Sequence, residues 1–364
     1  MPPEWTPHYA CLILYPHVAT NFRLECRPAQ AEIHQIAKAI VRDGDEDVVF
    51  FCLEEQYHDL VEQYEDEPRV HIEICNSNDT WARDTGPTFV LADDQKSLVA
   101  LDWDFNGYGG PDLGTYWPCD LDRMIPSTMC TALSHKYKVP IQLQPMDIVL
   151  EGGSIHVDGQ GTCMTTSECL LHPNRNPTKS KDEIEKTVLA ALGCSKMIWL
   201  PFGVAHDEDT NGHVDNMACF TSPTNVVVNW TDLDEDPENY QRCRQAMDYL
   251  IRETDAQGRA LTVHKLHLPP PLYYTAEEVN TLSTVGTAML RVAGERLAAS
   301  YVNFYIANQA VIVPQFGVEP FDGDALETLR RLFPSRKVVG VASREILLGG
   351  GNIHCQTQQM PRLE

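Results

Sequence analysis

A cysteine stands shortly after three consecutive glycines in Leu348-Gly349-Gly350-Gly351-Asn352-Ile353-His354-Cys355-Gln356. Glycine tolerates backbone shapes and close approaches that a side chain blocks, so this turn is able to aim the Cys355 thiol into a pocket. The plainer reading is a small cysteine packed as a hydrophobe. Three further segments carry groups that would assist a thiol nucleophile. Asn78-Asp79-Thr80-Trp81-Ala82-Arg83-Asp84-Thr85-Gly86-Pro87 gathers an aromatic ring and several ionisable groups before a Gly-Pro break. Glu151 precedes the pair Gly152-Gly153, and Asp209-Thr210-Asn211-Gly212-His213-Val214-Asp215-Asn216 sets His213 and Asp215 two residues apart. In a strand that spacing puts both side chains on one face. Taken singly, the glutamate reads as part of a turn and the His-x-Asp as a solvated strand face.

Together the four segments resemble the agmatine deiminases (agmatine iminohydrolases). These belong to the guanidino-group-modifying superfamily that includes arginine and peptidylarginine deiminases. The markers are Trp81-x-Arg83-Asp84-x-Gly86-Pro87, Glu151-Gly152-Gly153-Ser154-Ile155-His156, Asp209 to Asn216, and Gly349 to Cys355, and the resemblance runs from about Pro3 to Pro361. It implies a five-bladed α/β-propeller of ββαβ repeats with a central active site, and a single catalytic domain over residues 1–364. It also implies a homo-oligomer, and conversion of agmatine and water to N-carbamoylputrescine and ammonia, in the formation of putrescine and other polyamines or in the catabolism of agmatine.

The chemistry follows from what a guanidinium needs. It is planar, cationic and resonance-stabilised, hence a poor electrophile, and carboxylates grip its edge through parallel N–H···O bonds. Asp84 and Asp215 are assigned that grip. Cys355 attacks the central carbon, His213 acts as general acid and then general base, and Glu151 orients His213 and favours its imidazolium form. The intermediate is a thiouronium on Cys355, and no metal or organic cofactor is required. For the distal ammonium of agmatine, Asp209 supplies charge and Trp81 an aromatic face. Free arginine would need a basic clamp for its carboxylate, and the motif loops offer only Arg83. The competing readings are deimination of free arginine or another guanidine, a papain-like amide hydrolase, and a non-catalytic guanidine-binding protein.

The elements that must position these groups alternate. Apolar runs such as 87–91, 161–165, 225–230 and 310–314 predict short strands. The segments 31–41, 180–192, 237–252 and 324–333 predict amphipathic helices. The anchors Asp84, Glu151, His213, Asn303 and Cys355 recur at intervals of roughly 50–90 residues, as repeated α/β units around an axis would place them. A doubly wound sheet is the alternative arrangement. Residues 102–110 predict either a loop over the site or a tightly packed turn. Residues 232–238 predict a solvated acidic loop, and Pro269-Pro270-Pro271 a stiff extended stretch.

Composition points the same way. The 364 residues carry 52 acidic against 28 basic side chains, a formal net charge of −24. That charge disfavours nucleic acid and anionic membranes as partners and suits a cationic small molecule. The first residues lack the basic and apolar regions of a signal peptide, and no apolar run approaches a membrane span. A cytoplasmic setting is expected, with the twelve cysteines as free thiols. No C-x-x-C or H-E-x-x-H spacing occurs, so no structural zinc site is expected.

Overall fold

Runs such as Val48-Val49-Phe50-Phe51 and Val226-Val227-Val228 form strands covered on both faces, as near-continuous apolar segments require. The computed structural model describes residues 1–286 and 288–363. The chain opens with β1 (His8–Leu14), α1 (Arg27–Arg42), β2 (Asp47–Cys52), α2 (Glu54–Gln63) and β3 (Val70–Ile74). There follow β4 (Thr88–Leu91), β5 (Leu98–Asp104), α3 (Ile125–Tyr137) and β6 (Ile141–Val149), then β7 (Ile155–Val157), β8 (Thr162–Thr166), α4 (Lys181–Leu192) and β9 (Lys196–Leu200). The fourth unit is β10 (Ala218–Ser222), β11 (Asn225–Trp230), α5 (Pro237–Leu250) and β12 (Thr262–His267). The fifth is β13 (Tyr305–Ile306), β14 (Ala310–Gln315), α6 (Phe321–Leu332) and β15 (Lys337–Ala342), before the closing strand β16 (Thr357–Pro361).

Five small sheets result, which makes the fold a five-bladed α/β-propeller rather than one doubly wound sheet. In each of the middle three and the fifth, an antiparallel hairpin leads through a helix to a parallel third strand. The first sheet is built from both ends of the chain, in the order β16-β1-β2-β3. Its β16 pairs antiparallel with β1 from His8↔Pro361 to Ile13↔Thr357, so the C-terminal strand supplies the hairpin partner that the first unit lacks. The helices fill the space between blades. Ile33, Ile36 and Ile40 of α1 share a buried cluster with Phe50 of β2 and with Ile312 of the fifth blade. Full burial of each such side chain contributes about 1.5–3 kcal/mol.

Helix boundaries follow local chemistry. Ser180 caps α4 through the Glu183 N–H, and the Glu183 carboxylate returns to the Ser180 N–H at 2.7 Å. Pro28 in the first turn lets α1 begin at Arg27, ahead of the apolar periodicity. Helix α6 begins at Phe321 rather than 324, with the Asp322 carboxylate taking the N–H groups of Phe316, Gly317 and Val318. The acidic stretch 232–238 is solvated only in part: Asp236 is buried, accepts from the Asn239 N–H at the start of α5 and pairs with Arg296. Among the described residues no helix is long and apolar enough to cross a membrane, and all twelve cysteines are unpaired.

Candidate active site

The five sequence anchors occupy the five links between blades. Asp84 lies between β3 and β4, Glu151 between β6 and β7, His213 between β9 and β10, Asn303 between β12 and β13, and Cys355 between β15 and β16. In four of the links a short helical turn precedes the next hairpin: Ala82–Thr85, Gly152–Ser154, Val214–Asn216 and Ile353–Gln356. The repeat thus delivers one polar corner per blade to one place.

Gly153 shows how closely they converge. A Cβ there would lie 2.6 Å from His213 Nδ1, 2.8 Å from Asp215 Oδ2 and 2.9 Å from Asp84 Oδ1. A side chain at Gly351 would likewise meet Trp81 Cζ3 at 2.6 Å and Cys355 Sγ at 3.1 Å. The glycines flanking the site therefore exclude Cβ atoms rather than merely shape turns. The strand expected for His213 and Asp215 does not form. Asn211 and Gly212 both adopt left-handed backbone (φ 58° and 84°), which breaks an extended run, and Asp215 falls in the turn Val214–Asn216. The pair reaches the site by bracketing Gly153 instead.

Each group has its own electrostatic setting. Cys355 is 2% exposed, and burial, then the carboxylates of Asp215 (3.5 Å from Sγ) and Asp84, pushes its thiol well above the ordinary range. Asn303 Nδ2 approaches Sγ at 3.2 Å, while Asn303 Oδ1 takes the backbone N–H of His354 and Cys355. Burial raises the Asp84 carboxyl to about 6, aided by Asp215 and Glu151 and opposed by His213. Its two oxygens accept from the Gly153 N–H and the Tyr108 hydroxyl, both at 2.9 Å. Of residues 102–110 the first three end β5, and the turn that follows is tightly packed, with Phe105 and Tyr108 buried.

Burial works against the charge on His213, but Asp84, the Cys169 sulfur and Glu151 outweigh it and hold the imidazolium. Its ring nitrogens lie 3.9 Å from Asp84 Oδ1 and 3.7 Å from Glu151 Oε2. Glu151 overcomes its own burial through Arg175, whose Nε donates to Oε1 at 2.7 Å. Asp215 overcomes burial through His354, at 2.9 Å from Oδ2, and His354 continues at 2.9 Å to Glu4 and onward to Arg83. Asp215 Oδ1, Glu151 Oε2 and both ring nitrogens of His213 make no hydrogen bond among the described residues.

A narrow pocket runs outward from Cys355, bounded by Asp84, Trp81, Asp79, Asp209 and Arg291. Trp81 donates its indole N–H to Asp79 at 3.0 Å. Asp79 also takes the Asn21 amide and the Thr80 N–H, and burial lifts its carboxyl to about 8. Asp209, expected to be free for a cation, is already paired: Arg291 Nη1 lies 2.7 and 2.9 Å from its two oxygens. Two groups have ligand atoms close enough for a metal, Glu4–His156–His354 and Glu151–Cys169–His213. Both carboxylates are already compensated, by Arg83 and Arg175.

Sequence reasoning missed Arg175, Arg291, His354 and Glu4 as parts of this site. Arg175 lies in His172-Pro173-Asn174-Arg175-Asn176-Pro177, whose punctuation marks a rigid turn. His354 was adjacent to the nucleophile. Glu4 and Arg291 carry no local signal. Arg83, the one base in the motif loops, points beneath the site toward Glu4 and Gln358.

A propeller whose centre rings a buried thiol with carboxylates and an imidazole presents a site suited to a cationic group. Residues 1–361 match the family described as Porphyromonas-type peptidyl-arginine deiminase, and the chain belongs to that family. Among similar proteins, the agmatine deiminase of Medicago truncatula is 46% identical over 100% of this chain and 96% of its own length. The agmatine deiminase of Stutzerimonas stutzeri is 45% identical over 99% and 95%. The agmatine deiminase structure from Enterococcus faecalis superposes with a TM-score of 0.92 at 38% identity, covering 100% of this chain and 96% of that one. A C. jejuni agmatine deiminase with a cysteine-to-serine change and substrate bound gives 0.79 at 27% identity, over 99% and 95%.

Proposed function

We propose that this protein is an agmatine deiminase, releasing ammonia and N-carbamoylputrescine in the formation of polyamines. The observation that carries the reading is the convergence of Asp84, Asp215 and His213 on Gly153 beside the Cys355 thiol, with Asp215 Oδ1 and the His213 ring left without partners among the described residues. Asp84 and Asp215 hold the guanidinium edge-on, which makes the attack effectively unimolecular. The Cys355 sulfur bonds to the guanidinium carbon as its proton passes to Asp215. His213 then protonates one nitrogen, the C–N bond breaks and ammonia leaves, with a thiouronium on Cys355. Water gives a proton to the now neutral His213 and adds to the same carbon. The C–S bond breaks as the hydroxyl proton of the adduct passes to sulfur and the C=O of the ureido product forms. Asp215 releases the proton it accepted, which ends on ammonia as ammonium, and the thiol, the imidazolium and the Asp215 carboxylate are restored.

Glu151, charged through Arg175, fixes the His213 ring. Trp81 and Asp209 take the butyl chain and the distal ammonium. The free state of all twelve cysteines fits a reducing, cytoplasmic compartment. Light scattering checks the homo-oligomer expected of the family.

The test is incubation with agmatine, free arginine and simple amides, scoring ammonia and ureido product. Agmatine is expected to exceed arginine by orders of magnitude, because the narrow pocket that ends on Asp209 is proposed to receive an ammonium and no carboxylate. Cys355→Ser is expected to abolish turnover. Equal rates on agmatine and arginine, or turnover surviving the loss of the thiol, would overturn the reading.

A further inference from the structure

Asp209 is the pocket carboxylate left to receive a distal cation, because Asp79 is saturated by three donors and raised to about 8. Yet Asp209 already holds a cation of the protein's own. Arg291 places one terminal nitrogen between both Asp209 oxygens and donates from the other to Gly349 O at 2.9 Å. A substrate ammonium brought to Asp209 would meet this guanidinium at contact range, and like charges repel strongly in a site this enclosed. Both cannot keep full possession of one carboxylate.

The surroundings offer Arg291 another place. Arg291, Asp209, Met289 and Gly350 line both the Cys355 pocket and an adjoining cavity on the other side. That cavity presents the carboxylates of Glu208 and Glu295 and is edged by the exposed Leu290 and Tyr273. Both terminal nitrogens of Arg291 are bonded and its guanidinium lies 5.9 Å from the Tyr274 ring centre, but its Nε has no partner among the described residues. Its segment belongs to no helix or strand and is held by isolated bridges, Tyr116–Ala288 before Arg291 and Tyr273–Arg296 after it, with backbone bonds from Met289 N–H to Thr115 O and from Gly294 N–H to Tyr274 O. Gly350 is at φ 108°, and a Cβ there would lie 2.2 Å from Asp209 Oδ2 and 3.0 Å from Arg291 Nη2. The backbone thus leaves room for this pair where any other residue would push it apart.

We infer that Arg291 is a specificity-determining gate: its guanidinium occupies the seat of the substrate's distal cation on Asp209 and exchanges into the adjoining cavity when agmatine binds. The inference rests on the proposed agmatine site and adds the residue that agmatine must displace. A guanidine without a distal ammonium leaves Arg291 in place at no cost, so the displacement weighs only on dications and tempers the preference that Asp209 gives them.

The measurement compares kcat/KM for agmatine with that for n-butylguanidine, which keeps the reacting group and lacks the ammonium. Arg291→Gln is expected to raise the agmatine-to-butylguanidine ratio about threefold or more, because the ammonium then no longer displaces an Arg291–Asp209 ion pair that is more enclosed than a surface pair. Arg291→Lys, which keeps the charge, is expected to leave the ratio nearer the parent value. A fall in the ratio for Arg291→Gln would make Arg291 a support for Asp209, and an unchanged ratio would make it a wall; either overturns the gate. Asp209→Asn tests the underlying subsite separately, because a ratio unaffected by that change would remove Asp209 itself from cation binding. Phenylglyoxal labelling gives a readout without altering Arg291. In Cys355→Ser enzyme, saturating agmatine should speed modification of the Arg291 peptide as the side chain moves outward, and slower or unchanged labelling refutes the exchange.

Discussion

The thiol of Cys355 should be neutral in the free enzyme and ionise only when a cation enters the pocket. Burial and the carboxylates of Asp215 and Asp84 place its pKa well above 9.0. A thiol of pKa 9 is about 1% thiolate at pH 7, and Cys355 carries less. A guanidinium in attack position places a positive charge about 3–3.5 Å from the sulfur. At an effective dielectric of about 20, a unit charge near 4 Å stabilises the thiolate by about 4 kcal/mol, or roughly three pK units. The assay is alkylation followed on the Cys355 peptide across pH, once with neutral iodoacetamide and once with a cationic haloacetamidine shaped like the substrate. The neutral reagent should show a rate still rising beyond pH 9, and the cationic reagent a titration lower by about three units. Coincident, low values would mean a standing thiolate–imidazolium pair with His213. Substrate-assisted ionisation would then be wrong.

His213→Gln should lower kcat by roughly 10²–10⁴-fold with a smaller change in KM, whereas Asp84→Asn should damage both, and steady-state kinetics separates the two. The raised Asp84 carboxyl gives kcat/KM an acid limb near pH 6: below it Asp84 is neutral and loses its hold on the cation, above it the charge is present. Asp84→Asn should erase that limb from the remaining pH profile. Gly153→Ala forces a methyl within 3 Å of His213, Asp215 and Asp84, and should cost about 10²-fold or more in kcat/KM; activity within threefold of the parent would show that the three groups do not need their present spacing. Glu4→Gln leaves Arg83 and His354 without their buried carboxylate and should destabilise the fold by about 3–5 kcal/mol in urea unfolding.

The legible parts of this molecule were those whose chemistry is local. Strands at 225–230 and 310–315 are apolar runs of β-branched residues, and α4 announces itself through the Ser180–Glu183 capping box. The residues converging on Gly153 were legible because each sits in a glycine-punctuated link, where polar groups near a tight turn are conspicuous. What escaped was long-range pairing. Nothing near Arg175 shows that its partner is Glu151, and nothing near Arg291 shows that it reaches back to Asp209. The strand proposed for His213 and Asp215 failed for a local reason, since a period of two does not reveal left-handed backbone at Asn211 and Gly212.

The two ends of the chain explain why the most remote pairings matter. Strand β16 completes the first blade against β1, so ring closure joins the last residues to the first. The same junction carries Cys355, which precedes β16 by one residue, with Gln356 between. Beneath the thiol, Asp215 is held by His354, His354 by Glu4 from the N-terminal segment, and Glu4 by Arg83, which also donates to Gln358 of β16. Three links of the ring and the N-terminal segment therefore meet in one buried ionic chain, and the charge on Asp215 depends on its far end. A change that displaces Glu4 from His354 therefore acts on Asp215 without touching the pocket itself. In this architecture the nucleophile sits where the ring is joined, so an open ring disarms the site.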